Sequence, residues 1–138
     1  MLTEALAETA VEQAMHPGVV TCPPETPLRD AARMMARYRI HAVVVFGESD
    51  ETDEDSGVWG VVSDSDLVAA AAVDDVDERT AGGSARTPLV TIGPEQTLQL
   101  AAELMTRHGV THLVVVSPAS ERPLGIVSSL DVARALAG

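Results

Sequence analysis

The chain has 138 residues, of which 46% are hydrophobic but only 2% aromatic, and its formal net charge is −12. A compact fold of this length needs no disulfide or metal for stability, and its core must be built from Val, Leu, Ala and Met. All nine basic residues are arginine and they form no cluster, so we expect no nucleic-acid partner, which would require grouped positive charge.

Cysteine content and hydropathy indicate the compartment. The single cysteine, Cys22, allows no internal disulfide bond and is expected to be a small apolar residue at the end of a strand. No apolar run approaches the ~18 residues that a membrane-spanning helix requires. The N-terminal stretch MLTEALAETAVEQAM is acidic, whereas a secretory signal peptide begins with basic residues. We therefore expect a cytoplasmic protein with no membrane partner.

The first half of the chain predicts a strand, a helix, a hairpin of two strands and a second helix. A short strand, VVT, precedes a proline-rich turn, and a helix starts near Thr26 and Pro27 because proline fits the first helical position. The buried strands AVVVF and VWGVV follow, and an Ala- and Leu-rich helix closes the unit. The residues at helical spacing in the first helix are Leu28, Ala31, Ala32, Met35 and Tyr38.

The second half repeats this order with the strands LVTI, HLVVV and PLGIV. Its first helix starts near Thr97, and Gly109 stands where a C-terminal helix cap belongs. In each copy the first strand reaches its neighbour through a helix, which predicts parallel pairing. Matching residues lie 70 positions apart and are Thr21 and Thr91, Pro24 and Pro94, Leu28 and Leu98, Ala31 and Ala101, Met35 and Met105, and Ile40 and Val110.

The repeat defines the predicted fold class, which is α/β (α+β) with two β-α-β-β-α repeats. A repeat of roughly 60 residues has a thin core, so we expect the two copies to pack against each other as a pseudo-two-fold pair. The predicted boundaries are an N-terminal helical extension at 1–10, a first repeat at 11–72, a linker at 73–84 and a second repeat at 85–138.

Two features that could bind a metal or support catalysis are interpreted as structural. The acidic loop GESDETDEDSG, at 47–57, lacks the glycine and glutamate spacing of a calcium-binding EF-hand loop, so we expect a solvated loop. Gly109 should end the helix between His108 and His112, which removes a shared metal-binding face. Neither feature therefore predicts a metal site. No nucleophile is followed by an evident base and orienting group, so we expect no enzyme activity.

The phrases GVVSDSDL and GIVSSLDV, at 60–67 and 125–132, each end a strand at a serine that is followed three residues later by an aspartate. Such a pair can form a capping box, in which both side chains bond free N–H groups at the start of a helix. The same helix start can hold a phosphate, and an aspartate one turn in can accept hydrogen bonds from a ribose diol. The spacing alone leaves both interpretations open.

The repeated pattern resembles the CBS domain, of which two in tandem form a Bateman module. The resemblance covers about residues 11–138 and depends on VTCPPETPLRDAARMMARYRIHAVVV with GVVSDSDL, and on VTIGPEQTLQLAAELMTRHGVTHLVVV with GIVSSLDV. It implies a regulatory module that is not an enzyme, requires no cofactor, and binds AMP, ADP, ATP or S-adenosylmethionine in clefts between the repeats. It further implies a homodimer and a separate effector protein that the sequence does not identify.

The resemblance assigns ligand-binding roles to ten residues. The motif aspartates would accept hydrogen bonds from the ribose hydroxyls, the motif serines would hold the phosphate, and the other residues would line the base. The aspartates are Asp66 and Asp131, the serines are Ser63 and Ser128, and the base-lining residues are Val20, Thr21, Ala42, Val90, Thr91 and His112.

The sequence departs from the family pattern at four positions. Val44 and Val114 stand where the family often has proline in the middle strand, and Ser65 and Leu130 stand where it often has Arg or Lys. The missing basic neighbours disfavour a polyphosphate ligand. Two functions therefore remain open: a sensor of adenosine-type ligands, and a structural or dimerisation module whose clefts stay empty.

The two motifs also differ in local charge. The first contains Asp64 and follows the acidic loop, whereas the second has Ser129 and Leu130, with Arg107 and His108 nearby in sequence. Because opposite charge favours an anion and like charge opposes it, the second motif is expected to be the better phosphate site.

Overall fold

The structure is a computed structural model that describes most of the chain, namely residues 2–47, 57–85, 90–119 and 122–138. The acidic loop predicted at 47–57 falls almost wholly outside these described residues. The chain divides into two compact units, each of which contains one repeat. The first-repeat unit consists of residues 20–89, and the second-repeat unit of residues 1–19 and 90–138.

Helices and strands follow the predicted β-α-β-β-α order in both copies, which confirms the mixed α/β (α+β) class. In chain order the elements are α1 (Leu2–Glu8), α2 (Val11–Ala14), β1 (His16–Pro17), β2 (Thr21–Cys22), α3 (Leu28–Tyr38), β3 (Ala42–Gly47), β4 (Gly57–Ser63), α4 (Asp64–Ala72), a 3-10 turn (Val76–Glu78), α5 (Ala81–Ser84), β5 (Thr91–Ile92), α6 (Leu98–His108), β6 (His112–Val116), β7 (Pro123–Ser128) and α7 (Ser129–Ala137).

The first-repeat unit contains a three-stranded sheet in the order β2-β3-β4. β2 lies parallel to β3, with Thr21 opposite Val44, and β3 lies antiparallel to β4, with Ala42 opposite Ser63. The predicted parallel pair and hairpin are therefore both present. One face of α3 buries Leu28, Ala31 and Met35, and burying a large apolar side chain such as Leu28 or Met35 stabilises the fold by about 1.5–3 kcal/mol.

All the residues predicted at helical spacing in the first helix lie in α3, but they differ in exposure. Ala32 is half-buried, and Tyr38, the last residue of α3, is 54% exposed. The next residue, Arg39, is in the left-handed region at φ 54° and ends the helix directly after Tyr38. Its ring lies 5.8 Å from the guanidinium carbon of Arg37, a cation–π distance.

The helix ends follow local chemistry in both copies. Pro27 is the N-cap of α3 and lies one position before the first helical residue, Leu28, whereas the sequence predicted it at the first helical position. At the matching position Thr97 caps α6 by accepting the N–H of Leu100 at 3.2 Å. Gly109 ends α6 at φ 63°, as predicted, because glycine has no Cβ to clash in the left-handed region.

The second-repeat unit has the same strand pairing and one additional strand. Its sheet order is β1-β7-β6-β5, with β5 parallel to β6 and β6 antiparallel to β7. The additional strand, β1, comes from the N-terminal segment and pairs antiparallel with β7. Proline at Pro17 suits this position because an edge strand needs no donor on its outer side. The sequence interpretation did not predict β1.

The segment that precedes each repeat is bound by equivalent hydrogen bonds. In the second-repeat unit, the N–H groups of Val11 and Glu12 donate to the carbonyls of Gln96 and Pro94 at 2.7 and 3.0 Å. In the first-repeat unit, the N–H groups of Ala81 and Gly82 donate to the carbonyls of Thr26 and Pro24 at 2.7 and 2.8 Å. The predicted linker at 73–84 thus contributes ordered structure to the first-repeat unit, while Val11 and Glu12, which the sequence analysis placed at the start of the first repeat, belong to the second-repeat unit.

Hydrogen bonding and burial shift pKa values of side chains in the first-repeat unit. Arg29 donates two hydrogen bonds to Asp77, at 2.6 and 3.0 Å, and these hydrogen bonds hold the pKa of the Asp77 carboxyl below its ordinary value. The Cys22 thiol is buried at the end of β2, as predicted, and burial raises its pKa. Within the described residues, no helix is both long and apolar enough to cross a bilayer.

Candidate functional site

The two serine–aspartate motifs occupy the same place in their respective units. β4 ends at Ser63 and α4 begins at the next residue, while β7 ends at Ser128 and α7 begins at the next residue. Each serine has extended backbone, at φ −105° and −120°, and is the N-cap of its helix. Strand and helix meet without a loop, so each serine lies at the end of the sheet.

The middle strand places a second predicted residue directly beside each serine. Ala42 is opposite Ser63 in the β3–β4 pair, and His112 is opposite Ser128 in the β6–β7 pair. Ala42 is buried and His112 is half-buried. The second copy therefore offers an imidazole where the first offers only a methyl group. Thr111 Oγ1 lies 3.0 Å from His112 Nδ1 and orients this ring.

The strand-entry residues lie on the neighbouring parallel strand. Thr21 is opposite Val44 and Thr91 is opposite Val114, two residues along the middle strand from the positions that face the serines. The carbonyl of Val20 accepts the N–H of Val44 at 2.9 Å. Both threonines are exposed, while Val20 and Val90 are half-buried. Within each unit the five predicted residues thus gather at one end of the sheet.

The first motif is closed on itself by short hydrogen bonds. Asp66 Oδ2 accepts the backbone N–H of Ser63 at 2.8 Å and its hydroxyl at 3.0 Å. Ser65 Oγ lies 2.7 Å from Ser63 Oγ. Ser63 is buried, whereas Asp66 is half-buried. The carboxylate therefore acts as a helix cap and still reaches the surface of its unit.

A further acidic group lies beside the first motif. Asp64, the first residue of α4, places its Oδ2 3.0 Å from His41 Nδ1, and both side chains are exposed. The Asp64 N–H also donates to the His41 carbonyl at 2.9 Å, which extends the strand pairing by one step.

The second motif is a reciprocal capping box with a buried carboxylate. Asp131 Oδ2 accepts the backbone N–H of Ser128 at 2.7 Å and its hydroxyl at 3.0 Å, and the Asp131 N–H donates to Ser128 Oγ at 3.3 Å. Asp131 is buried, in contrast to half-buried Asp66. The two copies thus share their serine–aspartate bonding but differ in how far the carboxylate is covered.

Sequence reasoning missed one residue beside the second motif, His16. Its Nε2 atom lies 3.4 Å from Asp131 Oδ1. The histidine reaches this position because β1 pairs with β7, the strand that ends at Ser128. The available signal was the position of two segments that make equivalent hydrogen bonds. Val11 and Glu12 precede Thr21 by the same distance as Ala81 and Gly82 precede Thr91. Their sequences are dissimilar, so no motif marks them.

The described residues contain no cluster of side chains suited to a metal ion. Among them, no group of three or more His, Cys, Asp or Glu side chains is placed to hold a metal ion. His108 ends α6 and His112 begins β6, with left-handed Gly109 between them, so the two rings do not share a helix face. The arrangement at each motif can therefore offer hydroxyl, carboxylate and backbone groups to a polar ligand.

Comparison with known proteins identifies the family. A family model described as the CBS domain matches residues 11–73 and 82–138, which together form most of the chain. The chain therefore belongs to the CBS-domain family, and its two repeats form a CBS-domain pair. No curated protein sequence matches it.

Solved structures of CBS-domain pairs have the same fold. The CBS-domain pair of protein MJ0100, in complex with 5′-methylthioadenosine and S-adenosyl-L-methionine, is 19% identical with a TM-score of 0.80, and the match covers 94% of this chain and 97% of that one. The CBS-domain protein ATU1752 from Agrobacterium tumefaciens is 28% identical with a TM-score of 0.74, and 92% of each chain is covered. Hypoxic Response Protein I, with two coordinated zinc ions, is 26% identical with a TM-score of 0.71, covering 91% and 98%.

Proposed function

We propose that this CBS-domain pair is a regulatory module that binds an adenosine-type ligand and passes the signal to a separate effector protein. The observation that carries the proposal is one arrangement of residues that occurs at the same end of both sheets. There a serine, an aspartate one helical turn later and the residue opposite the serine lie together. A carboxylate and a helix start in this relation suit a ribose diol and a neighbouring phosphate.

The proposed site consists of the ten residues assigned from the family resemblance. The aspartates would bind ribose hydroxyls, because a carboxylate oxygen can accept two hydrogen bonds. The serines would contact a phosphate at the helix start, and the strand-entry and middle-strand residues would line the base. These residues are Val20, Thr21, Ala42, Ser63 and Asp66 in the first copy, and Val90, Thr91, His112, Ser128 and Asp131 in the second.

The charge around the motifs favours a ligand with little negative charge. The chain carries a formal charge of −12. Ser65 and Leu130 are neutral, and Ser65 is engaged with Ser63. A triphosphate would therefore gain little compensation, whereas S-adenosylmethionine, methylthioadenosine and AMP demand less positive charge. The MJ0100 complex, which contains the first two of these compounds, supports this choice. ADP and ATP are expected to bind more weakly.

The experiment that tests this proposal is a thermal-shift titration with AMP, ADP, ATP, NAD, methylthioadenosine and S-adenosylmethionine. A compound present at 100 times its Kd should stabilise the protein by about 2.7 kcal/mol, which raises the melting temperature by several degrees. The matched control is the double variant Asp66→Ala/Asp131→Ala, in which the shift should disappear. No shift with any of these compounds would refute the proposal.

The alternative is a structural or dimerisation module without a ligand, and exposed apolar side chains favour it. On α4 Val68 is 69% exposed, and on α7 Leu130 is 50% exposed. A dimer interface would cover these side chains on the closing helix of each repeat. We propose a homodimer in either case, with two-fold symmetry. The proposed module is cytoplasmic, has no enzyme activity and requires no cofactor.

A further inference from the structure

Three consecutive exposed side chains at the end of α3 form a basic and aromatic patch, which consists of Arg37, Tyr38 and Arg39. Tyr38 is the single tyrosine of the chain and is 54% exposed. Its ring lies 5.8 Å from the guanidinium carbon of Arg37, and this cation–π contact orients the ring at the surface. The patch therefore presents an aromatic ring and two positive charges in a chain whose formal charge is −12.

Backbone geometry indicates that the Arg39 side chain has a use. Arg39 ends α3 in the left-handed region at φ 54°, and Gly109 ends α6 at the equivalent position of the second repeat at φ 63°. A residue with a Cβ atom is destabilised in this conformation, whereas glycine is not. Arginine therefore costs stability at a position where ending the helix does not require it.

The two arginines of the patch carry charge that the described part of the chain does not neutralise. There, neither forms an ion pair, whereas Arg29 and Arg33 on the same helix are each paired with an aspartate. Asp64, the first residue of α4, is paired with His41 at 3.0 Å. The helix dipole favours a cation in the last turn of a helix, which accounts for one arginine but not for the exposed tyrosine beside it.

The second repeat does not carry the same patch. The residues that match the patch are Arg107, His108 and Gly109, so the two repeats share only the first arginine. Because α3 and α6 otherwise end in the same way, the tyrosine and the second arginine are additions to the first repeat rather than requirements of the fold.

We propose that the patch is the docking site for an acidic peptide segment of the effector protein, an inference that rests on the proposed function for the existence of that partner. A guanidinium group binds a carboxylate through two parallel hydrogen bonds. Tyrosine and arginine are among the side chains most enriched at the positions that dominate binding energy in protein interfaces. At an ionic strength of about 0.1 M, charges more than about 10 Å apart are largely screened, so the local charge of the patch outweighs the net charge of the chain.

The test is a titration of the full chain, with 3-fluorotyrosine in place of tyrosine, by a peptide of ten glutamates. Because Tyr38 is the single tyrosine, the fluorine NMR spectrum contains one protein resonance, which reports directly on the patch. A peptide of ten glutamines is the uncharged control. The variants are Arg37→Gln, Arg39→Gly and the matched control Arg107→Gln, which removes the same charge from the equivalent position of α6.

The glutamate peptide should shift the resonance in a saturable manner, and the glutamine peptide should leave it unchanged. Arg37→Gln and Arg39→Gly should each weaken the binding about three- to tenfold, because each removes a charge-assisted hydrogen bond at an exposed site. Arg107→Gln should bind as the wild type does. Arg39→Gly should also raise the melting temperature, because glycine relieves the left-handed backbone.

Three results would overturn the inference. A resonance that the glutamate peptide does not shift would show that the patch does not bind carboxylates. A loss of affinity in Arg107→Gln equal to that in Arg37→Gln would show that the peptide responds to overall charge rather than to the patch. Dissociation of a wild-type dimer by Arg39→Gly, measured by light scattering, would assign the patch to the contact between two copies of the chain.

The titration contains no nucleoside, so its outcome is separate from that of the proposed function. Peptide binding at the patch in a protein that shows no thermal shift with any adenosine compound would refute the proposed sensing and leave the docking site in place. Thermal shifts with an adenosine compound but no peptide binding would refute the docking site alone.

Discussion

Ser128 and Asp131 hold each other by reciprocal hydrogen bonds. The Ser128 backbone N–H donates to Asp131 Oδ2 at 2.7 Å, and the Asp131 N–H donates to Ser128 Oγ at 3.3 Å. The carboxylate that the family resemblance assigns to a ribose is therefore also a helix cap. Capping and ligand binding use the same residue, so the two roles must be separated by different measurements.

The first prediction concerns the capping role. Asp131→Ala should lower the free energy of unfolding by about 0.5–2 kcal/mol, because the start of α7 loses the acceptor for the Ser128 N–H. Asp66→Ala should cost less, since Asp66 is only half-buried. Asp131→Asn, which keeps one acceptor oxygen, should retain part of the stability. Urea unfolding followed by circular dichroism measures all three, and an Asp131→Ala curve that overlays the wild type would contradict the prediction.

The second prediction concerns pH. Because Arg29 lowers the pKa of Asp77 in the folded state, this pair stabilises the fold at a pH above the unfolded pKa of Asp, which is about 3.9. That stabilisation is lost as the pH falls through the lower folded pKa. The melting temperature of Asp77→Asn should therefore lie slightly below that of the wild type at pH 6, and the difference should shrink toward pH 3 and below.

Arg29→Gln is the matched control for this pH dependence, because it removes the other partner of the same pair. The effect is expected to be small since both side chains are solvent-exposed. A difference between wild type and Asp77→Asn that grows as the pH is lowered would have the wrong sign and would contradict the account.

The third prediction concerns Cys22. Its thiol is buried and burial raises its pKa, so little of the reactive thiolate forms at pH 8. Alkylation by iodoacetamide should be more than about tenfold slower in the native protein than in urea. Mass spectrometry of timed samples measures both rates. Equal rates in buffer and in urea would show that the end of β2 is open to solvent.

The fold was predictable from sequence because its signals are local and duplicated. The period of Leu28, Ala31 and Met35 marks α3, and the apolar run of HLVVV marks β6. Tyr38 lies in α3, as its helical spacing predicts, but it is 54% exposed, because spacing alone does not show which residues in the last turn of a helix are covered. The capping interpretation of each motif was one of two left open, and the hydrogen bonds confirm that the caps form.

The contact of His16 with Asp131 could not be predicted in the same way. The two residues are far apart in sequence, and β1 consists of only two residues, His16 and Pro17, without an alternating apolar pattern. Such a strand exists because β7 and the buried Val11 hold it, so tertiary packing rather than local preference defines it. Its influence on the candidate site becomes visible only in three dimensions.

The fourth prediction concerns self-association. If exposed Val68 on α4 and Leu130 on α7 are covered by a second copy, then Val68→Glu and Leu130→Glu should shift the protein from dimer to monomer. Thr106→Glu, which adds the same charge to exposed Thr106 on α6, should leave the dimer intact. Light scattering at tens of micromolar protein measures the mass, and a monomeric wild type would remove the proposed homodimer.

The most direct test of the central claim, that this CBS-domain pair senses an adenosine-type ligand through its motif aspartates, is calorimetric titration of S-adenosylmethionine and AMP into wild type and Asp66→Ala. The account predicts saturable binding to the wild type and a loss of at least about tenfold in affinity in Asp66→Ala, because one acceptor of the ribose diol is gone. Asp30→Ala, on α3 and outside both motifs, removes a carboxylate that is paired with Arg33, and this control variant should bind as the wild type does. Binding of equal affinity to wild type, Asp66→Ala and Asp66→Ala/Asp131→Ala would contradict the account.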